Sequence, residues 1–153
     1  MRVLLLTFLL SGLFSEVLQA QIQVTGQQDL TFGDLFPGIP ERVFPTDGGR
    51  AGEFQITGPR NMEMSLQFTL PAVMTEPGSA TMPLSYAAND GLYNPQGGGL
   101  PSVAFDPTAP FLNQLPNSQQ ATASLGATAT PSFSQTAGDY SAAVVLTVAL
   151  TGN

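Results

Sequence analysis

Tyr140-Ser141-Ala142-Ala143-Val144-Val145-Leu146-Thr147-Val148-Ala149-Leu150 is the stretch that decides the fold. Side chains of an extended chain point alternately to two faces, so Tyr140, Ala142, Val144, Leu146, Val148 and Leu150 share one side. Ser141, Ala143, Val145, Thr147 and Ala149 share the other. One face is continuously apolar, its reverse is milder, and no charge interrupts either. The pattern predicts a strand buried in a sheet, because an open edge of this kind invites pairing with other chains.

Working outward, the same period recurs upstream. Met62, Met64, Leu66, Phe68 and Leu70 alternate with Glu63, Ser65, Gln67 and Thr69, which predicts a strand with one buried and one wet face. Gln21–Val24, Leu30–Gly33, Glu53–Thr57 and Met82–Tyr86 read as shorter strands, and Val103–Phe105 as a very short one. Ala121 to Thr130 and Ser132-Phe133-Ser134 read as strands of small residues. Between them stand turn signals: Phe36-Pro37-Gly38, Asp47-Gly48-Gly49, Gly58-Pro59 and Asn89-Asp90-Gly91. Asn94 to Asn117 is otherwise loop. No stretch reads as an amphipathic helix. Roughly seven or eight strands in one domain predict an all-β fold, a single antiparallel β-sandwich.

The first residues read as an export signal: Met1-Arg2, an apolar run from Val3 to Leu13, and a small-residue cleavage site at Leu18-Gln19-Ala20. The run is too short to span a bilayer, which needs about 20 apolar residues, and Ser15-Glu16 breaks it. The expected organisation is a signal peptide over residues 1–20 and a β-sandwich domain over 21–153, exported to the periplasm, the cell surface or the medium, with no membrane insertion after cleavage. From Gln21 on there is no Cys, His, Trp or Lys, and only Arg42, Arg50 and Arg60 face ten carboxylates, a net charge of −7. Binding to nucleic-acid phosphates needs Lys and Arg, so it is not expected. Without cysteine the domain is held by its core and its sheet hydrogen bonds alone.

Leu30-Thr31-Phe32-Gly33-Asp34-Leu35-Phe36-Pro37-Gly38 resembles the L-x-F-G-x-[IL]-x-P-G opening of a family of small secreted bacterial domains of unknown function. Ala51 to Gly58, Leu125-Gly126-Ala127-Thr128 and Gly138-Asp139-Tyr140-Ser141 through Val148 resemble its later blocks. Their order is also similar to the spore coat U and chaperone–usher pilin domains. The resemblance implies an immunoglobulin-like or pilin-like sandwich exported by a Gram-negative bacterium. It implies as partners the protein itself or related subunits, through strand pairing, and a periplasmic chaperone. The chain departs from the pilin pattern in lacking a cysteine pair and in having a short N-terminal arm, with Ile22 and Val24 as its only apolar pegs. Those two residues are the candidate strand-exchange arm; the other reading makes them the first strand of a self-complete sandwich.

Catalysis is not expected. Without His, Cys or Lys, the common nucleophile–base pairs and Schiff-base chemistry have no residues to use, and the imidazole and thiolate ligands of zinc or copper are missing. The acids Asp29, Asp34, Asp47, Asp90, Asp106 and Asp139 stand singly in turn contexts, where carboxylates bond their own backbone. No cofactor is expected. Three functional classes remain: an exported structural or assembly subunit, a self-contained binding module for glycan or protein, and, as the one chemistry the residues leave, a carboxylate enzyme of the kind that hydrolyses glycosides. The second would use exposed aromatics, for which Tyr86, Tyr93, Phe105 and Phe111 are the candidates. Phe32, Phe54, Ile56, Met64, Leu66, Phe68, Tyr140, Val144, Leu146 and Val148 are the expected core.

Overall fold

A computed structural model describes residues 21–97 and 99–151. The signal-peptide reading of residues 1–20 lies outside the described residues. In chain order the strands are β1 (Gln23–Gln28), β2 (Glu41–Val43), β3 (Gly52–Thr57), β4 (Glu63–Thr69), β5 (Val73–Thr75) and β6 (Thr81–Ser85). They continue with β7 (Gly91–Pro95), β8 (Val103–Phe105), β9 (Phe111–Gln114), β10 (Gln120–Leu125), β11 (Ala127–Ala129) and β12 (Val145–Leu150). The protein is all-β and every strand pair is antiparallel. The strands form a five-stranded sheet β1-β3-β10-β7-β8, a three-stranded sheet β12-β4-β9, and a four-stranded sheet β2-β11-β6-β5.

The first two sheets enclose the main core. Alternation in β4 sends Met64, Leu66 and Phe68 inward, and β12 places Leu146 opposite Phe68 and Val148 opposite Leu66. From the facing sheet come Ile56, Tyr93, Phe105, Ala121 and Ala123. Ala123 sits between Phe54 of β3 and Tyr93 of β7 in register, so a small residue at the centre of the sheet leaves room for a large one on each side. Phe105 stacks on Phe111 with ring centres 4.3 Å apart, which closes one rim of the sandwich.

A second, smaller core holds Phe32, Val43, Ala51, Met74, Met82, Ala127 and Ala129 under the four-stranded sheet. One nearly continuous strand serves both cores, because β10 becomes β11 across Gly126. The glycine is required there by close approach. A Cβ at this position would run into the Val43 carbonyl oxygen and lie 2.9 Å from the Pro45 nitrogen. Its N–H donates to the Asp90 carbonyl at 2.7 Å, which fixes the bend.

Several expected elements take other forms. Among the described residues the strands number twelve, many of three to five residues, rather than seven or eight. The Asn94–Asn117 stretch carries the expected short strand β8 and, beyond it, the end of β7 and all of β9, and Leu30–Gly33 is not a strand, although Phe32 is buried. Ser132-Phe133-Ser134 lies in a turn region, with the Phe133 ring 91% exposed. The long terminal strand begins only at Val145. Tyr140 packs against the second core and Val144 against the main one, so the segment between them crosses from core to core. Only Ser141 pairs there, with Thr75.

Candidate functional site

The aromatic candidates do not form a binding face. Tyr93 and Phe105 are buried in the main core, and Tyr86 and Phe111 pack against it. The Tyr93 hydroxyl donates to the Gln114 carbonyl and the Tyr86 hydroxyl to the Pro71 carbonyl, each at 3.0 Å. Burial disfavours the phenolate and raises both groups from 10.0 to about 12. Tyr93, Phe105 and Phe111 stand on β7, β8 and β9 with their rings in or against the core, where apolar area is removed from water.

The N-terminal arm lies in its own sheet. Val24 stands opposite Ile56 in the β1–β3 pair, and Ile22 and Val24 both pack against the main core. The register of β1 shifts between Gly26 and Gln28, a bulge that bends the outer edge of the strand.

The acids mostly serve the fold. Asp90 has no exposed side-chain surface; its Oδ1 accepts from Arg42 Nη2 at 2.7 Å and its Oδ2 from the Ala87 N–H at 2.7 Å. Arg42 also lies over the Phe44 ring, 4.5 Å from its centre. Asp106 is exposed. The Thr108 hydroxyl and N–H both donate to it, at 2.6 and 2.9 Å, and hold its carboxyl below the ordinary range. Asp47 accepts from the Phe44 N–H. Arg50 pairs with Glu41 at 2.7 Å, an exposed contact worth little. Among the described residues, no group of three or more metal-capable side chains comes together, and no helix is long and apolar enough to cross a membrane.

Two clefts flank the second core, and the second of them also reaches the main one. One, of about 430 Å3, has Phe32, Met74, Met82 and Tyr140 in its wall with Asp34 and Asp139 beside them. The other, of about 420 Å3, runs between the Gly26–Leu30 segment and Tyr140–Val144. No family model, curated protein or solved structure matches this chain.

The feature that the sequence reading placed elsewhere is the edge of β12. The strand was expected inside its sheet, with neighbours on both sides. It lies at the sheet's edge, paired with β4 alone among the described residues. The Thr151 N–H donates to the carbonyl of Glu63, the residue opposite it, at 3.1 Å. Backbone groups of successive residues in an antiparallel strand point to opposite sides, so Val145, Thr147 and Ala149 address β4. Leu146, Val148 and Leu150 turn their N–H and C=O groups to the free edge. Their side chains face the core, while Val145, Thr147 and Ala149 are exposed.

Proposed function

We propose that this chain is an exported, non-catalytic structural protein: an assembly subunit of pilin-like character at the surface or in the periplasm of a Gram-negative bacterium. The observation that carries the reading is the free edge of β12. It offers unpaired backbone groups beside six uncharged residues with no proline and no bulge, and natural proteins block such an edge unless a strand is meant to add there. The order of sequence blocks similar to pilin domains supports it, as does the use of the carboxylates in turns and ion pairs. Ile22 and Val24 satisfy their own sheet, so the contact to other subunits runs through β12 and not through the arm. Partners in this reading are further copies or related subunits, with a periplasmic chaperone covering the edge before assembly.

Light scattering on the purified chain tests it. Stable multimers that Thr147→Lys, a charge on the exposed face of the edge strand, converts to monomers are the expected result. A wild-type chain that stays monomeric at high concentration, with no chaperone bound, would remove the assembly role. A second reading, a self-contained binding module, is favoured by the cleft between Phe32 and Tyr140. It predicts ligand binding that Tyr140→Ala abolishes and Thr147→Lys leaves unchanged.

A further inference from the structure

The six sheet edges of this molecule are not equivalent as docking strands. β1 is bent by its bulge, and β2 carries Glu41 and Arg42. β5 has three residues and is capped at Thr75 by Ser141. β8 has three residues and runs into Pro107, and β9 has four between Pro110 and Pro116. Only β12 combines six residues, a straight register with its inner neighbour and no charged residue of its own, since none follows Asp139. In a chain of net charge −7, a straight six-residue edge without a carboxylate lets two copies pair along its whole length.

We infer that β12 pairs with β12 of a second copy, antiparallel, about a two-fold axis through Val148. The inference rests on the proposed assembly role and names the partner at that edge. Parity sets most of it. The core faces of both copies must continue one sheet face, so residues of like parity stand opposite each other. The residues whose backbone faces the edge, Leu146, Val148 and Leu150, must also meet one another. Centring on Val148 uses all three: Val148 opposes Val148, and Leu146 opposes Leu150 twice, exchanging about six hydrogen bonds at two per facing pair. Centring one residue earlier, on Thr147, would leave Leu150 without a partner inside the strand. On the exposed face Thr147 then stands opposite Ala149 in a pair without mutual hydrogen bonds, where Cα atoms approach to about 4.5 Å. The product is a continuous six-stranded sheet across an isologous dimer. Its halves carry like charge, so association strengthens as ionic strength rises from about 0.01 to 0.15 M and the Debye length shortens from about 30 to 8 Å.

The exported chain has no cysteine, so an introduced thiol is its only one, and the Thr147–Ala149 separation suits a disulfide, which spans about 4.4–6.8 Å between Cα atoms. Thr147→Cys and Ala149→Cys variants are expressed as the full chain and exported, one of them mass-tagged. They are mixed under a thiol–disulfide buffer, with circular dichroism confirming that each is folded. The expected result is a mixed Thr147→Cys/Ala149→Cys dimer at least ten-fold more abundant than either self-linked dimer. Predominant self-linking of Thr147→Cys would overturn the Val148-centred pairing. Multimers seen by light scattering with no cross-link at either position would overturn the β12–β12 contact and leave the assembly role standing. A monomer at every concentration and salt would overturn both.

Discussion

Asp90 and Gly126 are the two residues on which the junction of the cores depends, and they are linked by the hydrogen bond from the Gly126 N–H to the Asp90 carbonyl. A buried carboxylate is tolerated because Arg42 neutralises it and the Ala87 N–H occupies its other oxygen. Arg42→Ala leaves that charge buried with one N–H donor and is expected to cost about 3 kcal/mol, the scale for breaking a buried pair from one side. Asp90→Asn removes the charge along with the attraction and is expected to cost less. Urea midpoints for the two variants check the order. Gly126→Ala drives a methyl into the Val43 carbonyl and the Pro45 nitrogen, both backbone and unable to swing away. Its expected cost is about 2–3 kcal/mol, the upper range for overpacking, read the same way. Tyr86 and Tyr93 set the alkaline limit. Their folded-state values lie near 12 against 10.0 unfolded, so between those pH values the folded state binds more protons and stability falls as pH rises. Below pH 10 their contribution is fully present. Ionisation of Tyr86 and Tyr93 and loss of strand circular dichroism are expected to rise together above pH 10; ionisation of both without loss of structure would contradict the burial.

At the scale of elements, strands with an alternating signal were legible, the three-residue β8 among them, while β2, β5 and β9 were not. β4 and β12 each carry at least three inward apolar side chains at period two, and the sequence places both. β2, β5 and β9 have three or four residues, too few for a period to emerge above chance, and their pairing comes from tertiary neighbours. The ten residues assigned to the expected core all fall in one or other of the two clusters, because burial follows alternation even where no ladder forms, as at Phe32 and Tyr140. Alternation reports the faces of a strand and says nothing of its edges. That is why β12 was expected inside its sheet, whereas the exposure of the aromatic candidates is a matter of faces, and Tyr93 and Phe105 face inward. It is also silent on the loops, where Phe36, Ile39 and Phe133 are exposed. The Phe133 ring lies over Gly38, whose φ of 75° and lack of a side chain make room for it. Gly38→Ala is expected to displace that ring and strain the turn, costing about 1 kcal/mol, with a shift in Phe133 ring resonances as the local readout.

The whole molecule joins a large core to a small one, and the small one has too few buried side chains to stand by itself. Seven residues, three of them alanines, form its buried part. Its order is borrowed from the main core through three connections: the β10–β11 strand that runs through both, the Asp90–Arg42 pair, and Tyr86, whose ring packs against both clusters. Connections of this kind, internal to a strand or packed between the two cores, are lost together or not at all, so the two cores are expected to unfold in one transition. Leu66→Ala in the main core and Met74→Ala in the second then shift the same midpoint. The first is expected to cost about 3–4 kcal/mol and the second about 2, because Met74 retains some exposure while Leu66 has none. The chain has no Trp, so near-ultraviolet circular dichroism reports the tyrosines, which lie in or between the cores, while the far-ultraviolet signal reports the strands. Coincident urea curves from the two probes in both variants are the expected outcome. A separate early transition in Met74→Ala, with the main-sheet signal intact, would mean that the β10–β11 strand carries two independent folding units and that Gly126 is a hinge between them.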